Sequence, residues 1–337
     1  MSLMYGLLKN APPLVKENIV NLISSPLIRR NFIYERLYQR RINAVVKKGS
    51  AYPFSIEIEV TNLCNSLCAM CPRRMMSRES GTMSFETFMR IADQAVVNPD
   101  SEFRFIGYGE PLLDCGLVKK IEYAKQVGVR VTRVITNGQL LDADTARSLI
   151  NSGLDVIGID LDSDDPGIFN SFRKGLDYTT VVNNILGLVD IKKSLKKNKP
   201  VIRLQVLKIP QNFTDFNNFL RKWQKLVDII DVNPFNNWAG AITAKIEQSA
   251  DQRILTPCVK LWSNIPISWK GEVTLCCLDF DFKFKLGDIN VDSLLDIWHS
   301  KFSGARQAHL LGKRNTYPLC KDCNWEAIWW RRLNEIT

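Results

Sequence analysis

From residue 54 onward, short apolar runs alternate with longer segments whose hydrophobic residues recur at helical spacing. The short runs are typical of buried strands, and the longer segments have room for several helical turns. Six strand–helix repeats in this order predict an α/β fold with a parallel sheet and right-handed crossovers, either open or curled into a partial barrel. The predicted strands are 54–60, 103–106, 130–135, 156–161, 201–207 and 228–232, and the predicted helices include 84–97, 116–126, 142–151, 178–193 and 214–225.

The first 50 residues form a separate basic segment with a helical pattern. At about 100° per residue, an apolar stripe that includes Ile42 and Val45 lies opposite a basic face. The segment has nine basic and two acidic side chains, so it carries +7 of the net charge of +10. Two interpretations stay open: the stripe packs on the rest of the protein, or residues 26–48 lie on an anionic membrane or a partner as a peripheral contact.

After about residue 245 the strand–helix repeat ends. A hairpin-like stretch flanked by Gly271 and Gly287 precedes a short helical pattern at 293–302 and a tail rich in cysteine and tryptophan. The predicted organisation is therefore a helical segment at 1–50, a partial barrel at 51–245 and a smaller cysteine-held domain at 246–337.

The composition limits both the compartment and the metal chemistry. No apolar run approaches the roughly 20 residues of a membrane-spanning helix, and the N-terminus lacks the order of a signal peptide. We therefore expect a cytoplasmic protein, with membrane association as the alternative that the basic segment leaves open. Nine cysteines and two histidines in a reducing compartment indicate metal ligands rather than disulfides. Sites made of thiolates select zinc or iron–sulfur clusters.

A loop directly after the first predicted strand carries the strongest chemical signal. Cys64, Cys68 and Cys71 are separated by three and two residues, so they can converge on one metal cluster. A structural zinc site and an ordinary iron–sulfur cluster both take four protein ligands. Three cysteines therefore leave one metal corner open for a ligand or a substrate.

Further motifs follow the next three predicted strands at the same edge of the sheet. Glycines in the loop after the second predicted strand let the backbone approach a ligand closely, and the glutamate of that loop can accept a hydrogen bond from an ammonium group. Functional loops of such sheets lie at the carboxyl ends of the strands, so these motifs should meet. They are Gly107, Tyr108, Gly109, Glu110 and Pro111 after the second strand, Thr136, Asn137 and Gly138 after the third, and Asp160 and Asp162 at the fourth, followed by Arg173.

In these motifs the chain resembles the radical S-adenosylmethionine (SAM) enzymes. The resemblance rests on EVTNLCNSLCAMCPRR, GYGEPLL, ITNG and IDLDSDDPGIFNSFRKG, and it spans about residues 54–323. It implies a partial (β/α)6 TIM-like barrel whose three loop cysteines hold a 4Fe–4S cluster, with SAM chelated by the fourth iron. An electron from a donor such as flavodoxin or ferredoxin then cleaves SAM, and the resulting 5′-deoxyadenosyl radical removes hydrogen from an unactivated carbon.

The resemblance also assigns roles to single residues. The segment 107–111 would contact the methionine ammonium group, Asn137 would lie near the cofactor, and Arg173 would face its carboxylate. Two positions depart from the family pattern. Met70 replaces an aromatic residue before the third cysteine, and its thioether can pack over a cluster. Asp160 replaces a frequent serine, and its carboxylate could bind the ribose hydroxyls of the cofactor or reach the substrate.

Five further cysteines lie in the C-terminal region: Cys258, Cys276, Cys277, Cys320 and Cys323. The C-x12-G-x4-C start resembles the SPASM and twitch extensions of radical SAM enzymes, most of all the twitch-type dehydrogenase that acts on an aminocyclitol. This implies one auxiliary 4Fe–4S cluster, held by all of these cysteines except Cys277, with zinc as the alternative. Cys277 could replace Cys276 as a ligand, donate a hydrogen atom to a substrate radical, or be an inert packed thiol.

An auxiliary cluster suggests the reaction. An alcohol carbon that has lost a hydrogen atom and a proton must lose one more electron, and a nearby cluster can accept it. The leading hypothesis is an oxidoreductase that dehydrogenates a hydroxylated small molecule, a sugar or cyclitol, with Asp160 or Asp162 as proton acceptor or hydroxyl ligand. Sugar epimerisation with Cys277 as hydrogen donor, and modification of a ribosomally made peptide, are the alternatives. A zinc-stabilised nucleic-acid-binding protein would leave GYGEP and ITNG unexplained, so no nucleic acid partner is expected.

Overall fold

The computed structural model describes residues 32–98, 100–208, 215–242, 257–323 and 325 of the 337-residue chain. The first 31 residues of the predicted basic segment and the predicted domain boundary at 245/246 lie outside the described residues. The domain organisation therefore stays a prediction.

Among the described residues, nine strands, numbered β1 to β9 along the chain, form one sheet in the order β6-β5-β4-β3-β2-β1-β7-β8-β9. Strands β1 to β6 are parallel, and each pairs with the next strand in sequence. This sequential order is that of a partial barrel, and the six strands match the predicted ones to within two residues at each end. The strands are β1 (Ser55–Ile58), β2 (Glu102–Phe105), β3 (Val131–Thr136), β4 (Val156–Asp160), β5 (Val201–Lys208), β6 (Ile229–Pro234), β7 (Asn264–Ile267), β8 (Glu272–Thr274) and β9 (Lys285–Asp288).

Helices follow the first five strands, and the five predicted helices correspond to α2, α3, α4, α6 and α7 to within two residues. Short helical turns occur at Pro72–Met75, Pro111–Leu113 and Arg314–Thr316, and a π-helical turn at Ile297–Lys301. The helices are α1 (Phe32–Gly49), α2 (Phe85–Ala95), α3 (Leu117–Gln126), α4 (Ala143–Asn151), α5 (Pro166–Phe172), α6 (Tyr178–Ser194), α7 (Phe216–Trp223), α8 (Lys260–Ser263), α9 (Leu294–Asp296), α10 (Ser303–Leu310) and α11 (Pro318–Lys321).

The two faces of the barrel sheet differ in chemistry, because side chains alternate along each strand. Ile56 and Ile58 of β1 are fully buried in the hydrophobic core, as are Phe103 and Phe105 of β2. Phe88 of α2 packs on both phenylalanines, with ring centroids 6.3 and 5.9 Å away. Several intervening positions of the strands are charged and face the inside of the barrel, where Glu57, Arg104 and Arg133 line the cavity described below. The fold thus keeps its apolar core outside the barrel and its polar chemistry inside.

The C-terminal region continues the same sheet. Strand β7 pairs in parallel with β1, and β8 and β9 extend the edge in antiparallel fashion. Helix α1 packs beside this region, since Ile42 and Val45 are buried and the Trp298 indole donates a hydrogen bond to the Gly49 carbonyl at 3.0 Å. For residues 32–49 the structure therefore favours packing of the apolar stripe. Within the described ranges, no helix has the length and apolar character that a bilayer crossing requires.

Candidate active site

The loop after β1 brings the three motif cysteines to one wall of a cavity of about 320 Å³. The Ser66 hydroxyl lies 3.4 Å from the Cys64 sulfur and 3.2 Å from the Cys68 sulfur, so it joins two of the three thiols. Backbone N–H groups of the loop donate to carbonyls at the end of α5, with Leu67 to Lys174 at 2.7 Å and Ala69 to Phe172 at 2.8 Å. The loop is therefore fixed by the segment that carries Arg173.

The environment of Cys68 and Cys71 favours the protonated thiol, so these side chains are poor nucleophiles unless a metal binds them. Burial raises the pKa of Cys68, and it raises the pKa of Cys71 to about 11. A metal centre must therefore displace the thiol protons when it binds. Among the described residues, no three His, Cys, Asp or Glu side chains surround a common point as the ligands of a single ion would. A 4Fe–4S cluster does not require its ligands to surround one point, because each thiolate binds a different iron atom.

The GYGEP loop lies directly against the cysteine loop because Gly109 has no side chain. A Cβ atom there would lie 2.1 Å from the Thr61 carbonyl oxygen and 2.6 Å from that of Leu63. The Glu110 N–H group donates to the Leu63 carbonyl at 2.8 Å, which closes the contact between the two loops. Glycine is therefore required at this position for close approach of two backbones.

The Glu110 side chain ties the second motif loop to the third. Its carboxylate accepts hydrogen bonds from the Thr136 hydroxyl at 2.6 Å, from the Asn137 N–H group at 2.8 Å and from the Leu112 N–H group at 3.1 Å. Burial raises the pKa of Glu110 to about 7 in spite of these donors. The Asn137 side chain in turn donates to the Asn65 side chain at 2.7 Å. The three loops thus form one hydrogen-bonded network.

Arg173 is held by two carboxylates at the carboxyl end of β4. Its guanidinium lies 2.6 Å from Asp160 and 2.7 Å from Asp162. Burial raises the pKa of Asp160, although Arg173 acts in the opposite direction. Asp162 is 1% exposed and also accepts from the Leu207 N–H group at 2.7 Å. Asp162 therefore lies behind Arg173 and orients it.

The structure brings together all but one of the residues that the sequence placed at the cofactor and first-cluster site. The exception is Pro111, which is buried at the start of the turn that follows Glu110 and does not line the 320 Å³ cavity. Asp162, predicted as a catalytic residue, does not line this cavity either. The predicted residues that do line it are Cys64, Cys68, Met70, Cys71, Gly107, Tyr108, Gly109, Glu110, Asn137, Asp160 and Arg173.

Other lining residues carry no motif, and the sequence did not point to them. Trp238 lies in the loop after β6, and its indole donates to the Met70 carbonyl at 2.7 Å. Its ring lies 5.7 Å from that of Tyr108. Asn236 and Trp325 also line the cavity. A tryptophan so close to the cysteine loop could have been suspected only from its position after the sixth predicted strand.

Four of the C-terminal cysteines line a second, small cavity: Cys258, Cys276, Cys320 and Cys323. Arg314 donates to the carbonyls of Cys320 and Cys323 at 2.6 and 3.0 Å. The Cys258 N–H group donates to His309 at 3.2 Å. Cys277 does not line this cavity. The grouping favours Cys276 over its neighbour as the fourth thiol.

A third cavity of about 200 Å³ lies inside the barrel and borders both sites. It shares Tyr108 and Trp238 with the first cavity, and Lys260 and Trp325 with the auxiliary cysteines. Cys277 lines it. From the strands it takes Glu57, Glu59, Arg104, Arg133, Gln205 and Asp231, side chains that sequence reasoning did not single out. We call it the central cavity.

Two family models match the chain. The family model of the radical SAM superfamily matches residues 58–201, and the model of an iron–sulfur cluster-binding domain, SPASM, matches residues 258–324. Together they cover more than half of the chain. The protein is a radical SAM enzyme with a C-terminal SPASM domain. SAM and a 4Fe–4S cluster are therefore its cofactors, together with auxiliary iron–sulfur chemistry in the SPASM domain, and the family, fold class and cofactors predicted from the sequence are confirmed.

Two relatives extend over most of the chain. A tungsten-containing aldehyde ferredoxin oxidoreductase cofactor-modifying protein of Pyrococcus furiosus is 24% identical over 313 residues, which cover 79% of this chain and 86% of the relative. A SAM-dependent 2-deoxy-scyllo-inosamine dehydrogenase of Niallia circulans is 25% identical over 273 residues, which cover 80% of this chain and 92% of the relative.

Solved structures share the fold. BtrN in complex with AdoMet and 2-DOIA has a TM-score of 0.57 at 21% identity, over 81% of this chain and 93% of BtrN. Streptococcus suis SuiB bound to the precursor peptide SuiA has a TM-score of 0.64 at 16% identity, over 89% of this chain and 76% of SuiB. At these identities the likeness concerns the fold alone.

Proposed function

We propose that this radical SAM enzyme dehydrogenates a hydroxylated small molecule of the sugar or cyclitol class. The observation that carries the proposal is the central cavity, which shares Tyr108 and Trp238 with the cavity of the motif cysteines, and Lys260 and Trp325 with the cavity of the auxiliary cysteines. When bound, SAM and its cluster would supply a 5′-deoxyadenosyl radical that takes one hydrogen atom from the carbinol carbon, and the auxiliary cluster would accept the remaining electron. The hydroxyl proton would pass to a carboxylate, for which Asp160 on the wall of the first cavity is the candidate. A substrate in the central cavity would lie within reach of both.

The residues of the chain then have distinct tasks. Cys64, Cys68 and Cys71 would hold the first cluster, and Cys258, Cys276, Cys320 and Cys323 the auxiliary one. Arg173, oriented by Asp160 and Asp162, offers a cation to the carboxylate of SAM. Tyr108 and Trp238 form the wall between SAM and substrate and keep bulk water out, since Tyr108 is buried.

Both the size and the lining of the central cavity support a small polar substrate. At about 200 Å³ it is smaller than the roughly 300–1,000 Å³ of sites for drug-sized ligands. Charged and amide side chains on its wall can bind hydroxyl groups. The Niallia circulans relative is a dehydrogenase of an aminocyclitol by its name, which supports the same class. The structural neighbour bound to a precursor peptide keeps peptide modification as the alternative substrate class.

A specific observation also favours a second reaction, epimerisation. Cys277 lines the central cavity, whereas its neighbour Cys276 lines the auxiliary site. A thiol beside the substrate could return a hydrogen atom to the opposite face of the carbon radical, with no net oxidation of the substrate. The thiyl radical left on Cys277 would then take one electron from the auxiliary cluster and one proton from solvent. Dehydrogenation remains the proposed reaction because the same cavity also borders the auxiliary cysteines.

One turnover experiment separates these reactions. The anaerobically reconstituted enzyme, with SAM and a reductant, is offered 2-deoxy-scyllo-inosamine and a panel of sugars and cyclitols in deuterated water. We expect 5′-deoxyadenosine together with a product that has lost two hydrogen atoms. A product of unchanged mass apart from one solvent deuterium would establish epimerisation instead. The variant with Cys64, Cys68 and Cys71 all replaced by alanine is the control, and it should form no 5′-deoxyadenosine.

A further inference from the structure

The inner wall of the barrel carries many charges, and nearly all of them are paired within the protein. Arg104 and Arg133 both bind Glu102, at 2.7 and 2.6 Å. Arg203 binds Asp231 at 2.6 Å, and Arg173 binds Asp160 as described above. Arg78 binds Glu59 at 2.5 Å through both of its terminal nitrogens. Each of these carboxylates therefore has a guanidinium partner.

Glu57 is the exception among the described carboxylates of the barrel strands. It is 8% exposed on β1, and its Oε1 atom accepts one hydrogen bond, from the Asn264 side chain at 2.5 Å. Its Oε2 atom is buried and has no hydrogen-bond partner among the described residues. A buried carboxylate oxygen without a donor is unfavourable for folding, so its presence calls for a partner that binds from the cavity.

The nearby cation does not fill this role. Lys260 shares the central cavity with Glu57, but its ammonium group donates to the Cys277 sulfur at 2.9 Å and lies 4.0 Å from the centre of the Trp325 ring. Lys260 and Glu57 attract each other electrostatically, without a hydrogen bond between them. The Oε2 atom therefore has no donor among the described residues, and the Glu57 side chain that carries it belongs to the wall of the central cavity.

The chemistry of the missing partner follows from the chemistry of a carboxylate. An ionised carboxylate offers acceptor sites and no donor, so its partner must carry an O–H or N–H group. We infer that Glu57 binds the substrate, through a hydrogen bond from a hydroxyl or ammonium group to Oε2. A substrate with a carboxylate or phosphate at that position would be repelled. The inference rests on the proposed function for the location of the substrate, and it narrows the class to polyols and amino-polyols.

Direct binding tests the inference without turnover. Equilibrium dialysis with the SAM-loaded holoenzyme uses three probes at millimolar concentration: scyllo-inositol, 2-deoxy-scyllo-inosamine and glucuronic acid. We expect the first two to bind, and glucuronic acid to bind more weakly. Glu57→Gln should weaken the binding of the first two by about tenfold or more, the usual effect of losing a hydrogen bond to a charged group. Stronger loss for the amine than for scyllo-inositol would identify an ammonium partner, and equal loss a hydroxyl.

The thermal unfolding temperature distinguishes a loss of substrate binding from a loss of folding stability. Glutamine keeps an oxygen for the Asn264 side chain and removes the buried charge, so the thermal unfolding temperature of Glu57→Gln should equal or exceed that of the parent. The matched control is Glu122→Gln, on the exposed face of α3. It should change neither the binding of the probes nor the thermal unfolding temperature. Three results would overturn the inference. They are unchanged probe binding in Glu57→Gln, a clear loss of thermal stability in this variant, and no binding of either hydroxylated probe to the parent.

The same preparations keep the inference separate from the proposed reaction. If binding depends on Glu57 but the product retains its mass, the inference stands and the dehydrogenation is wrong. If the product has lost two hydrogen atoms while Glu57→Gln binds the probes as the parent does, the dehydrogenation stands and the inference is wrong.

Discussion

The Glu110 carboxylate connects two loops of the active site and has a raised pKa. Three donors from two loops converge on its carboxylate, yet burial still raises its pKa to about 7. The glutamate of GYGEP therefore changes its protonation state near neutral pH, in the segment predicted to contact the methionine ammonium group. The sequence indicated a hydrogen-bond acceptor here, and the structure shows that its side chain connects two protein loops.

The raised pKa has a defined consequence for stability. Since the folded protein holds the Glu110 proton more tightly than the unfolded chain, this stabilisation is complete below the unfolded pKa of 4.5 and is lost as pH rises through about 7. The difference amounts to about 3 kcal/mol. Infrared difference spectra of the apoprotein should show a protonated carboxyl signal that disappears near pH 7 and is missing in Glu110→Gln. The same signal in Glu110→Gln, or one that disappears near pH 4.5, would contradict the assignment.

Single residues were predictable from the sequence where chemistry and spacing coincide. The three cysteines, the GYGE part of GYGEP and Arg173 stand in short patterns, and the structure places them around one cavity. Glu57 and Trp238 stand in no pattern. Their importance depends on which strands and loops face the inside of the barrel, and that information lies in strand pairing rather than in neighbouring letters.

At the scale of elements, loop length and glycine placement set the geometry of the site. The motif loops meet because they follow adjacent parallel strands at one edge of the sheet. The closest approach is at Gly109, whose missing side chain makes room for the Thr61 carbonyl. The cysteine loop and the GYGEP loop are thus fitted to each other through their backbones.

Gly109→Ala should therefore disturb the first cluster. The added Cβ atom would lie 2.1 Å from the Thr61 carbonyl oxygen, so one of the two loops must move, at a cost of about 1–3 kcal/mol. We expect reduced iron and sulfide per chain after anaerobic reconstitution, with the loss confined to the first cluster. Gly187→Ala on α6 is the control, because nothing lies within 4 Å of its added atom, and alanine favours a helix. Equal iron content in the two variants would show that the loops tolerate the change.

Helix α5 and strand β7 are among the elements that escaped prediction, and they did so for different reasons. Helix α5 spans seven residues, too few for a hydrophobic period, although Asp165 caps it and Pro166 opens it. Strand β7 has four residues and contains Pro266, which usually argues against a strand. Its pairing with β1 joins segments about 200 residues apart in sequence, and no local pattern encodes such a contact.

At the scale of the whole molecule, the barrel and the C-terminal region meet at the motif loops. The Tyr108 hydroxyl of GYGEP donates to the Cys277 carbonyl at 2.5 Å. Arg78 donates to the Phe280 carbonyl at 2.7 Å while it binds Glu59 of the barrel. The sequence separated these regions at the end of the strand–helix repeat. The structure shows one continuous sheet across them, with the SAM side and the auxiliary side in direct contact.

Lys260 lies at the boundary between the central cavity and the auxiliary site. Its side chain lines the central cavity and the cavity of the auxiliary cysteines, and its ammonium group is buried. Attraction by Cys277 and Glu57 raises the pKa of Lys260 above its usual value against the effect of burial, so it carries a positive charge there. A buried positive charge stabilises the more negative, reduced form of a neighbouring iron–sulfur cluster.

Replacing this charge should change the electron affinity of the auxiliary cluster. Lys260→Met keeps the length and apolar stem of the side chain, and we expect it to lower the midpoint potential by an amount on the order of tens of millivolts. Redox titration followed by electron paramagnetic resonance measures the potential, in a background with alanine at Cys64, Cys68 and Cys71 so that only the auxiliary signal remains. Lys283→Met, whose side chain is 71% exposed in the same region, should leave the potential unchanged because solvent screens its charge. An equal shift in both variants, or none in Lys260→Met, would mean that Lys260 does not tune the cluster, and electron transfer out of the central cavity would then need another explanation.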